Sequence, residues 1–276
     1  MEKKIGETIR SGVIEVLKGT KDVATGIVDI VSGTIVKGLE GVKNVQEAVV
    51  SVVVGSISIV IKAAGTIGTD LTTVARSSII GVLRGVHEVG SVTTDVIYET
   101  VREVVKATAE IGGDVGSIAK NAVAGAIRGT RDIAISAENA ATEAARGVIH
   151  AVSETGKDAG EAAKNAVKGA IGGVAETTGH LTAVIKDTTK GLVLGASEVG
   201  GDVATVARNA VIGAIETAKE IGVSAEDAAS AAATGAVEAG ERIGKEASSA
   251  IRKAVVGVIG GIKVVVKEPF SKKKEK

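Results

Sequence analysis

The stretch "IGGDVGSIAKNAVAGAIRGTRD", residues 111–132, occurs in this chain in several altered copies. It returns as "TGKDAGEAAKNAVKGAIGGVAE" at 155–176 and as "VGGDVATVARNAVIGAIETAKE" at 199–220. Weaker copies begin at Ile67 and Ile243, so the copies start at 67, 111, 155, 199 and 243, which are 44 residues apart. Self-similarity at a fixed period of this size is the sequence signature of repeat architectures.

The composition excludes several classes of protein. The 276 residues include 37 Gly but only one Tyr, one Phe and no Trp, so large side chains cannot dominate a core. The formal net charge is zero, which argues against a nucleic-acid partner, because phosphates call for a basic excess. The chain has no Cys, which excludes disulfides, thiolate catalysis and zinc–sulfur sites.

A finer repeat of eleven residues runs through the chain. Written in lines of eleven from Met1, the sequence keeps one phase to about Val265 without an insertion or deletion. Eleven residues make three turns of about 3.67 residues, close to the natural α-helix, so successive lines stack with little drift. The Ile, Val, Ala, Thr and Gly columns then cover about 165° of one helix face. This pattern predicts an all-α protein built from an amphipathic helix.

The unbroken phase predicts one very long, continuous amphipathic helix, because turns ordinarily insert residues that ignore an eleven-residue repeat. The one Pro is Pro269, and a continuous helix of this length would measure on the order of 400 Å. The alternative is a stack of helical hairpins, one per 44 residues. In that case "GGD" and "GKD" would be a glycine C-cap followed by an aspartate N-cap, and Ser136 and Ser224 would begin capping boxes.

The high glycine content means that the helix needs a partner that covers its apolar face. Each interior glycine costs a helix up to about 1 kcal/mol relative to alanine, so the helix is expected to be largely unfolded alone in water. A lipid surface or other helices would have to stabilise it. We therefore expect the helix to be lipid-bound or packed in a right-handed helical assembly, the supercoil sense that an eleven-residue repeat favours.

One stretch carries a resemblance to known families. "TKDVATGIVDIVSGTIVKGLEG", residues 20–41, with Thr, Val and Gly on the apolar face and Lys beside Asp or Glu on the polar face, resembles the eleven-residue repeats of perilipins and synucleins. Group 3 late-embryogenesis-abundant proteins share the period but are more charged. The resemblance implies a non-enzymatic coat protein that becomes helical on a membrane or a lipid droplet.

Recurring small residues indicate a different partner, a second helix. GxxxG or a similar pair recurs at one place in the 44-residue repeat, and two glycines one turn apart let another backbone approach closely. The candidate helix-contact residues are Gly81, Gly85, Gly125, Gly129, Gly169, Gly173, Gly213, Gly257 and Gly261. They favour the alternative function, a self-assembling helical rod, filament or coiled-coil scaffold that could set a length as phage tape-measure proteins do.

The sequence predicts no enzyme, no cofactor and no small-molecule substrate. The histidines are His87, His150 and His180, which on a continuous helix lie far apart and are expected to be solvated. Acidic residues recur at 44-residue intervals, at Asp70, Asp114, Asp158, Asp202 and Glu246. On a continuous helix they form a widely spaced acidic series, so they predict neither a paired-carboxylate site nor a metal site. The expected partners are a lipid surface, a second copy of the chain, or both.

Composition divides the chain into four segments. Residues 1–106 are rich in Val and Ile, 107–250 in Ala and Gly, and 251–266 again in Val and Ile, and these make up the repeat region. Residues 267–276 form a basic tail whose Lys272, Lys273, Lys274 and Lys276 are candidates for contact with lipid headgroups.

Targeting and membrane-spanning signals are weak. We expect no signal peptide, because no apolar run follows the early lysines. The longest uncharged run, Ala48 to Ile61, is shorter than the roughly 20 residues that span a bilayer. The expected location is cytoplasmic, peripheral to a membrane or lipid surface.

Overall fold

The computed structural model describes residues 2–19, 22–40, 42, 45–90, 92–175 and 180–266. These residues form twelve α-helices and, at the end, two short β-strands. The helices are α1 (Glu2–Lys18), α2 (Val23–Leu39), α3 (Val45–Ile67), α4 (Leu71–Val89), α5 (Thr94–Glu110), α6 (Val115–Gly129), α7 (Ala137–Glu154), α8 (Ala159–Val174), α9 (Leu181–Glu198), α10 (Val203–Ile221), α11 (Ala225–Ile243) and α12 (Lys245–Val255). The strands are β1 (Gly257–Ile259) and β2 (Ile262–Val264).

The helices are arranged in two layers. From α1 to α11, each helix contacts mainly the helix two positions along the chain and contacts its immediate neighbour in sequence less, whereas α12 contacts α11 more than α10. The even-numbered helices therefore form one layer, which we call the even layer, and the odd-numbered helices form the odd layer. Since consecutive helices reverse direction through short turns, neighbours within a layer run parallel. The protein is an all-α helical-repeat structure.

Glycine turns interrupt the helix that the sequence pattern predicts as continuous. Helices α3, α5, α7 and α9 are each followed by a glycine in the left-handed region, namely Gly68, Gly112, Gly156 and Gly200, with φ of 72°, 75°, 63° and 69°. The amide of Gly113 then donates to the Thr108 carbonyl at 2.9 Å, and that of Lys157 to the Val152 carbonyl at 3.0 Å, as in a Schellman cap. The prediction of one very long helix is wrong, and stacked helical hairpins describe the chain.

An aspartate begins the helix that follows each of these turns. The caps Asp70, Asp114, Asp158 and Asp202 accept hydrogen bonds from backbone amides of the first helical turn. A hydrogen bond from the Ser117 hydroxyl, together with backbone amides, lowers the pKa of Asp114. Ser136 and Ser224 cap α7 and α11 in the same way. The four aspartates of the acidic series in the sequence are thus helix N-caps, whereas its fifth member, Glu246, lies in the first turn of α12.

The turns keep the eleven-residue phase because each helix and its turn together occupy two lines. Helices α6 to α11 accordingly begin at every second line, at Val115, Ala137, Ala159, Leu181, Val203 and Ala225. A turn of this length inserts no extra residue, so the phase cannot distinguish a continuous helix from a stack of hairpins. This is the physical reason that the continuous-helix prediction is wrong.

The apolar columns meet between and within the two layers as one core. Large side chains such as Ile79, Leu83, Ile127, Ile149 and Ile171 are almost fully buried. Alanine fills much of the rest, above all in α11, where most buried positions are Ala or Gly. The apolar face of each helix is broad because it contacts helices on two sides, those of the opposite layer and those of its own.

The C-terminal end departs from the repeat. Strands β1 and β2 pair antiparallel, with Gly257 opposite Val264, and Ile259 and Val264 turn inward to the core. The Ser230 hydroxyl of α11 donates to the Val265 carbonyl, and Lys219 of α10 donates to the Gly260 carbonyl. This hairpin covers the end of the stack.

Candidate functional site

Glycines bring the parallel helices of the even layer into backbone contact. Each faces a backbone carbonyl oxygen of the preceding even helix. The pairs are Gly81 with Val28, Gly125 with Arg76, Gly169 with Lys120, and Gly213 with Lys164. A Cβ on Gly125 would lie 3.0 Å from the Arg76 oxygen, and one on Gly169 would overlap the Lys120 oxygen. Only a residue without a side chain fits this approach.

The second glycine of each GxxxG pair extends the same contact by one turn. A Cβ on Gly85 would lie 2.8 Å from the Ser32 carbonyl oxygen. Gly129 faces the side chain of Leu83, and Gly173 faces the backbone of Ala124. Seven of the nine residues that the sequence suggests as helix contacts, those from Gly81 to Gly213, therefore lie where parallel helices meet.

The odd layer uses the same device, and sequence reasoning missed it. Its pairs are Gly147 with the Tyr98 carbonyl, Gly191 with that of Thr142, and Gly235 with that of Lys186. Each of these glycines follows a contact glycine of the even layer by half of the 44-residue repeat. A signal was present in the sequence, since "GLVLG" at 191–195 is itself a GxxxG motif.

The remaining candidates have other positions. Gly257 and Gly261 do not lie on a helix but in the C-terminal hairpin, with φ of 118° and 80° and with open space where a Cβ would stand. The prediction that these two glycines contact a helix is wrong, because strands β1 and β2 replace the helical repeat there. Lys272, Lys273, Lys274 and Lys276 of the basic tail lie outside the described residues.

Ion pairs join the parallel helices along the outer surface of each layer. In the odd layer they are Lys62–Glu110, Arg102–Glu154, Arg146–Glu198 and Lys186–Glu238, with N–O distances of 3.5, 2.6, 2.9 and 3.5 Å. In the even layer Glu216 pairs with both Lys164 and Lys168 at 2.7 and 2.8 Å. The partners in each pair lie more than one full repeat apart in sequence, so no local pattern on one helix announces them.

The densest polar cluster crosses α5, α7 and α9. The Tyr98 hydroxyl lies 2.9 Å from His150 Nδ1, and His150 Nε2 lies 2.9 Å from Glu198 Oε2. Arg146 donates to both oxygens of Glu198 and, at 2.7 Å, to Glu143. The Arg146 guanidinium also stands 5.5 Å from the centre of the Tyr98 ring. This cluster unites the one Tyr with one of the three His.

The electrostatics of this cluster suit non-covalent contacts between the three helices better than nucleophilic chemistry. Burial raises the pKa of Tyr98, so its phenol stays protonated, whereas a nucleophile needs a lowered pKa. Burial opposes the charge of Arg146, but the hydrogen bonds and charges of Glu198 and Glu143 raise its pKa overall. His87 and His180 are exposed, as the sequence suggests, while His150 is half-buried in the cluster.

A shallow groove of about 390 Å³ lies beside this cluster on the odd layer. Burial raises the pKa of Asp187, one of its residues. The lining residues are Thr94, Asn139, Thr142, Glu143, Arg146, Asp187, Lys190, Leu194, Glu198 and Arg242. Among the described residues no group of three or more His, Cys, Asp or Glu could hold a metal ion.

One segment has the length and apolarity of a membrane span. It is Ala48–Ile67 of α3, which is only partly buried inside the protein.

Comparisons with known proteins add little to this description. No family model matches the chain, and no curated protein matches it. A solved structure to which it is similar is the crystal structure of a de novo designed helical repeat protein, with 22% identity, 66% of this chain and 94% of that chain covered, and a TM-score of 0.35. A similarity of this size gives no information about function.

The glycine contacts predict opposite effects for two substitutions in one helix. Gly169→Ala should destabilise the protein by about 1–3 kcal/mol or more, because its Cβ would overlap the Lys120 backbone. Gly172→Ala, three residues later, has open space at the Cβ position and should stabilise by up to about 1 kcal/mol through helix propensity. Urea unfolding followed by circular dichroism measures both, and an equal gain in the two variants would contradict the close contact.

The polar cluster predicts a measurable coupling between Arg146 and Glu198. In a double-mutant cycle with Arg146→Met and Glu198→Gln, we expect a coupling free energy of about 0.5–1 kcal/mol, because the two side chains are only 30% and 38% exposed. The matched control is Arg84 with Asp29, which are 58% and 63% exposed and 3.4 Å apart, and whose coupling should be near zero. Equal couplings for the two pairs would contradict a special role of the cluster.

Proposed function

We propose that this chain is a non-enzymatic structural scaffold, a rigid rod of stacked helical hairpins. The observation that carries the proposal is that the apolar face of the repeat is buried within the chain's own layers. A protein that satisfies its apolar face internally has no need of a lipid surface to fold. Its function then rests on its length, its stiffness and its outer surface.

The contacts of the repeat support stiffness. Backbone-to-glycine contacts fix the spacing of parallel helices, and ion pairs bridge the same helices on the outside. In a repeat protein each unit contacts only its neighbours, so stability accumulates along the stack and the ends need covering. The hairpin of β1 and β2 covers the C-terminal end of the described stack.

The use of the polar side chains supports a function without catalysis. The repeating aspartates cap helices, and His150 and Tyr98 lie in a cluster that joins three helices. These are the residue types on which general acid–base or nucleophilic chemistry would draw. Their engagement in helix ends and helix contacts gives each a structural reason to be present.

A lipid-surface coat, the function implied by the perilipin and synuclein resemblance, is the second candidate. The observation in its favour is α3, whose segment Ala48–Ile67 is apolar and only partly buried. Elsewhere among the described residues the exposed large apolar side chains are few: Ile111, Ile221 and Val223 at or beside turns, and Val256, Val258 and Val265 near the C-terminal hairpin. A coat of continuous helix would also require the glycine turns to open.

Circular dichroism of the full chain, with and without anionic phospholipid vesicles, tests the proposal. We expect a fully helical spectrum and cooperative unfolding in lipid-free buffer, because the core is complete without lipid. Vesicles should leave the spectrum unchanged. A chain that is disordered in buffer and gains helix only on vesicles would contradict the scaffold and favour the coat.

A further inference from the structure

From α4 to α11 the two layers carry opposite charge. Helices α4, α6, α8 and α10 together contain eight Lys and Arg but only four Asp and Glu. Helices α5, α7, α9 and α11 together contain six Lys and Arg but thirteen Asp and Glu. Because the inner sides of both layers are apolar core, these charges lie on the outward surfaces. We call them the even face, which is basic, and the odd face, which is acidic.

The capping aspartates of the even helices stand apart from these counts. Asp70, Asp114, Asp158 and Asp202 precede the helices, and their carboxylates accept hydrogen bonds from the backbone amides of the first turn. Their negative charge therefore lies at the helix ends, along one edge of the layer, and is directed at the positive ends of the helix dipoles. The body of the even face remains basic.

Ion pairs within each layer leave the majority charge in excess. On the odd face, Arg146 is shared between Glu143 and Glu198. On the even face the minority acid Glu216 is shared between Lys164 and Lys168. The internal pairs therefore do not neutralise either face.

Some charges of the majority sign lie outside these networks. On the even face Lys120 and Arg208 are exposed and form no ion pair with a described residue. On the odd face Asp95 and Glu226 are likewise exposed and form no ion pair with a described residue. Each face thus presents charge to whatever lies outside the molecule.

The charges form rows with a common spacing. A cation row runs across the even face at Arg76, Lys120, Lys164 and Arg208, one per 44-residue repeat. Two acid rows run across the odd face at the same interval, Glu99–Glu143–Asp187 and Glu110–Glu154–Glu198. Neighbours in a row lie on adjacent parallel helices, whose axes are typically about 8–10 Å apart.

We propose that copies of this chain stack face to face, with the basic even face of one copy against the acidic odd face of the next. A second copy is the partner whose charges have the same spacing, because it is built from the same repeat. The formal net charge of zero removes the overall repulsion that keeps many proteins apart. This inference rests on the scaffold function proposed above and adds the partner, a second copy, and the surface that it contacts.

The geometry of such a contact fixes the form of the assembly. The two surfaces are different, so the contact is heterologous, and after each addition the stack still has one free basic face and one free acidic face. The stack is therefore open-ended. Because the attraction is between exposed charges, it depends on ionic strength: the screening length is about 30 Å at about 0.01 M salt and about 3 Å at 1 M.

Sedimentation of the full chain at these two ionic strengths tests the stacking. At low salt we expect a weight-average mass of at least twice the 27.4 kDa of one chain, and at high salt the mass of one chain. Lys120→Glu/Arg208→Glu, which makes the charges of the even face balance, should reduce the low-salt mass to that of one chain.

The matched control is Lys62→Glu/Arg242→Glu. It changes the net charge by the same amount but adds acid only to helices of the odd layer, at Lys62 on α3 and Arg242 on α11, and leaves the even face unchanged, so salt-dependent association should persist. Loss of association in both variants would show an effect of net charge alone and would overturn the proposal. Thermal unfolding by circular dichroism verifies that both variants fold. If one of them does not fold, the salt dependence of the wild-type mass still tests the stacking.

A wild-type chain that stays at the mass of one chain at low salt would also overturn the stacking. If that chain then bound anionic vesicles through Lys120 and Arg208, the even face would belong to a lipid surface. A chain that is helical without lipid but does not associate contradicts the stacking alone. A chain disordered without lipid contradicts the scaffold function itself.

Discussion

The contact between a glycine of one helix and the backbone carbonyl of the parallel helix before it organises this molecule. It recurs in both layers, from Gly81 against Val28 to Gly235 against Lys186. Each contact requires a residue without a Cβ, and each helix that supplies one loses helix propensity. Isolated, such helices would be weak; in the stack, the close approach gives them packing on two sides that offsets this loss.

The other features of the chain are consistent with that constraint. When backbones meet this closely, large side chains have little room, and the core consists mostly of Ala, Val and Ile, with a few Leu and almost no aromatic residue. The small core leaves the outer surface to long side chains, which reach across to the next parallel helix as Arg102 does to Glu154. Glycine at the contact, alanine in the core and ion pairs outside thus form one structural solution, repeated along the chain.

Much of the fold could be predicted from the sequence, and the errors have identifiable causes. The eleven-residue columns predict the helix and its buried face. The alternative interpretation of "GGD" and "GKD" as a turn is confirmed, with Gly112 in the left-handed position just after the C-cap Ile111 and Asp114 as the next N-cap. The continuous helix was wrong because a helix and its turn together fill two of the eleven-residue lines. The cluster of Tyr98, His150 and Glu198 was beyond reach, since its members lie on three separate helices and only the stacking brings them together.

The central claim, that the repeat folds back on itself through glycine contacts, is tested most directly by one distance. The chain has no native Cys, so Lys120→Cys/Arg208→Cys places one spin label on α6 and one on α10, two repeats apart. Double electron–electron resonance on the dilute, lipid-free protein should give a narrow distribution at about 20–30 Å, since two steps between parallel helices span about 20 Å. A continuous helix would place the same residues about 130 Å apart. A broad distribution, or no resolved distance, would contradict the account.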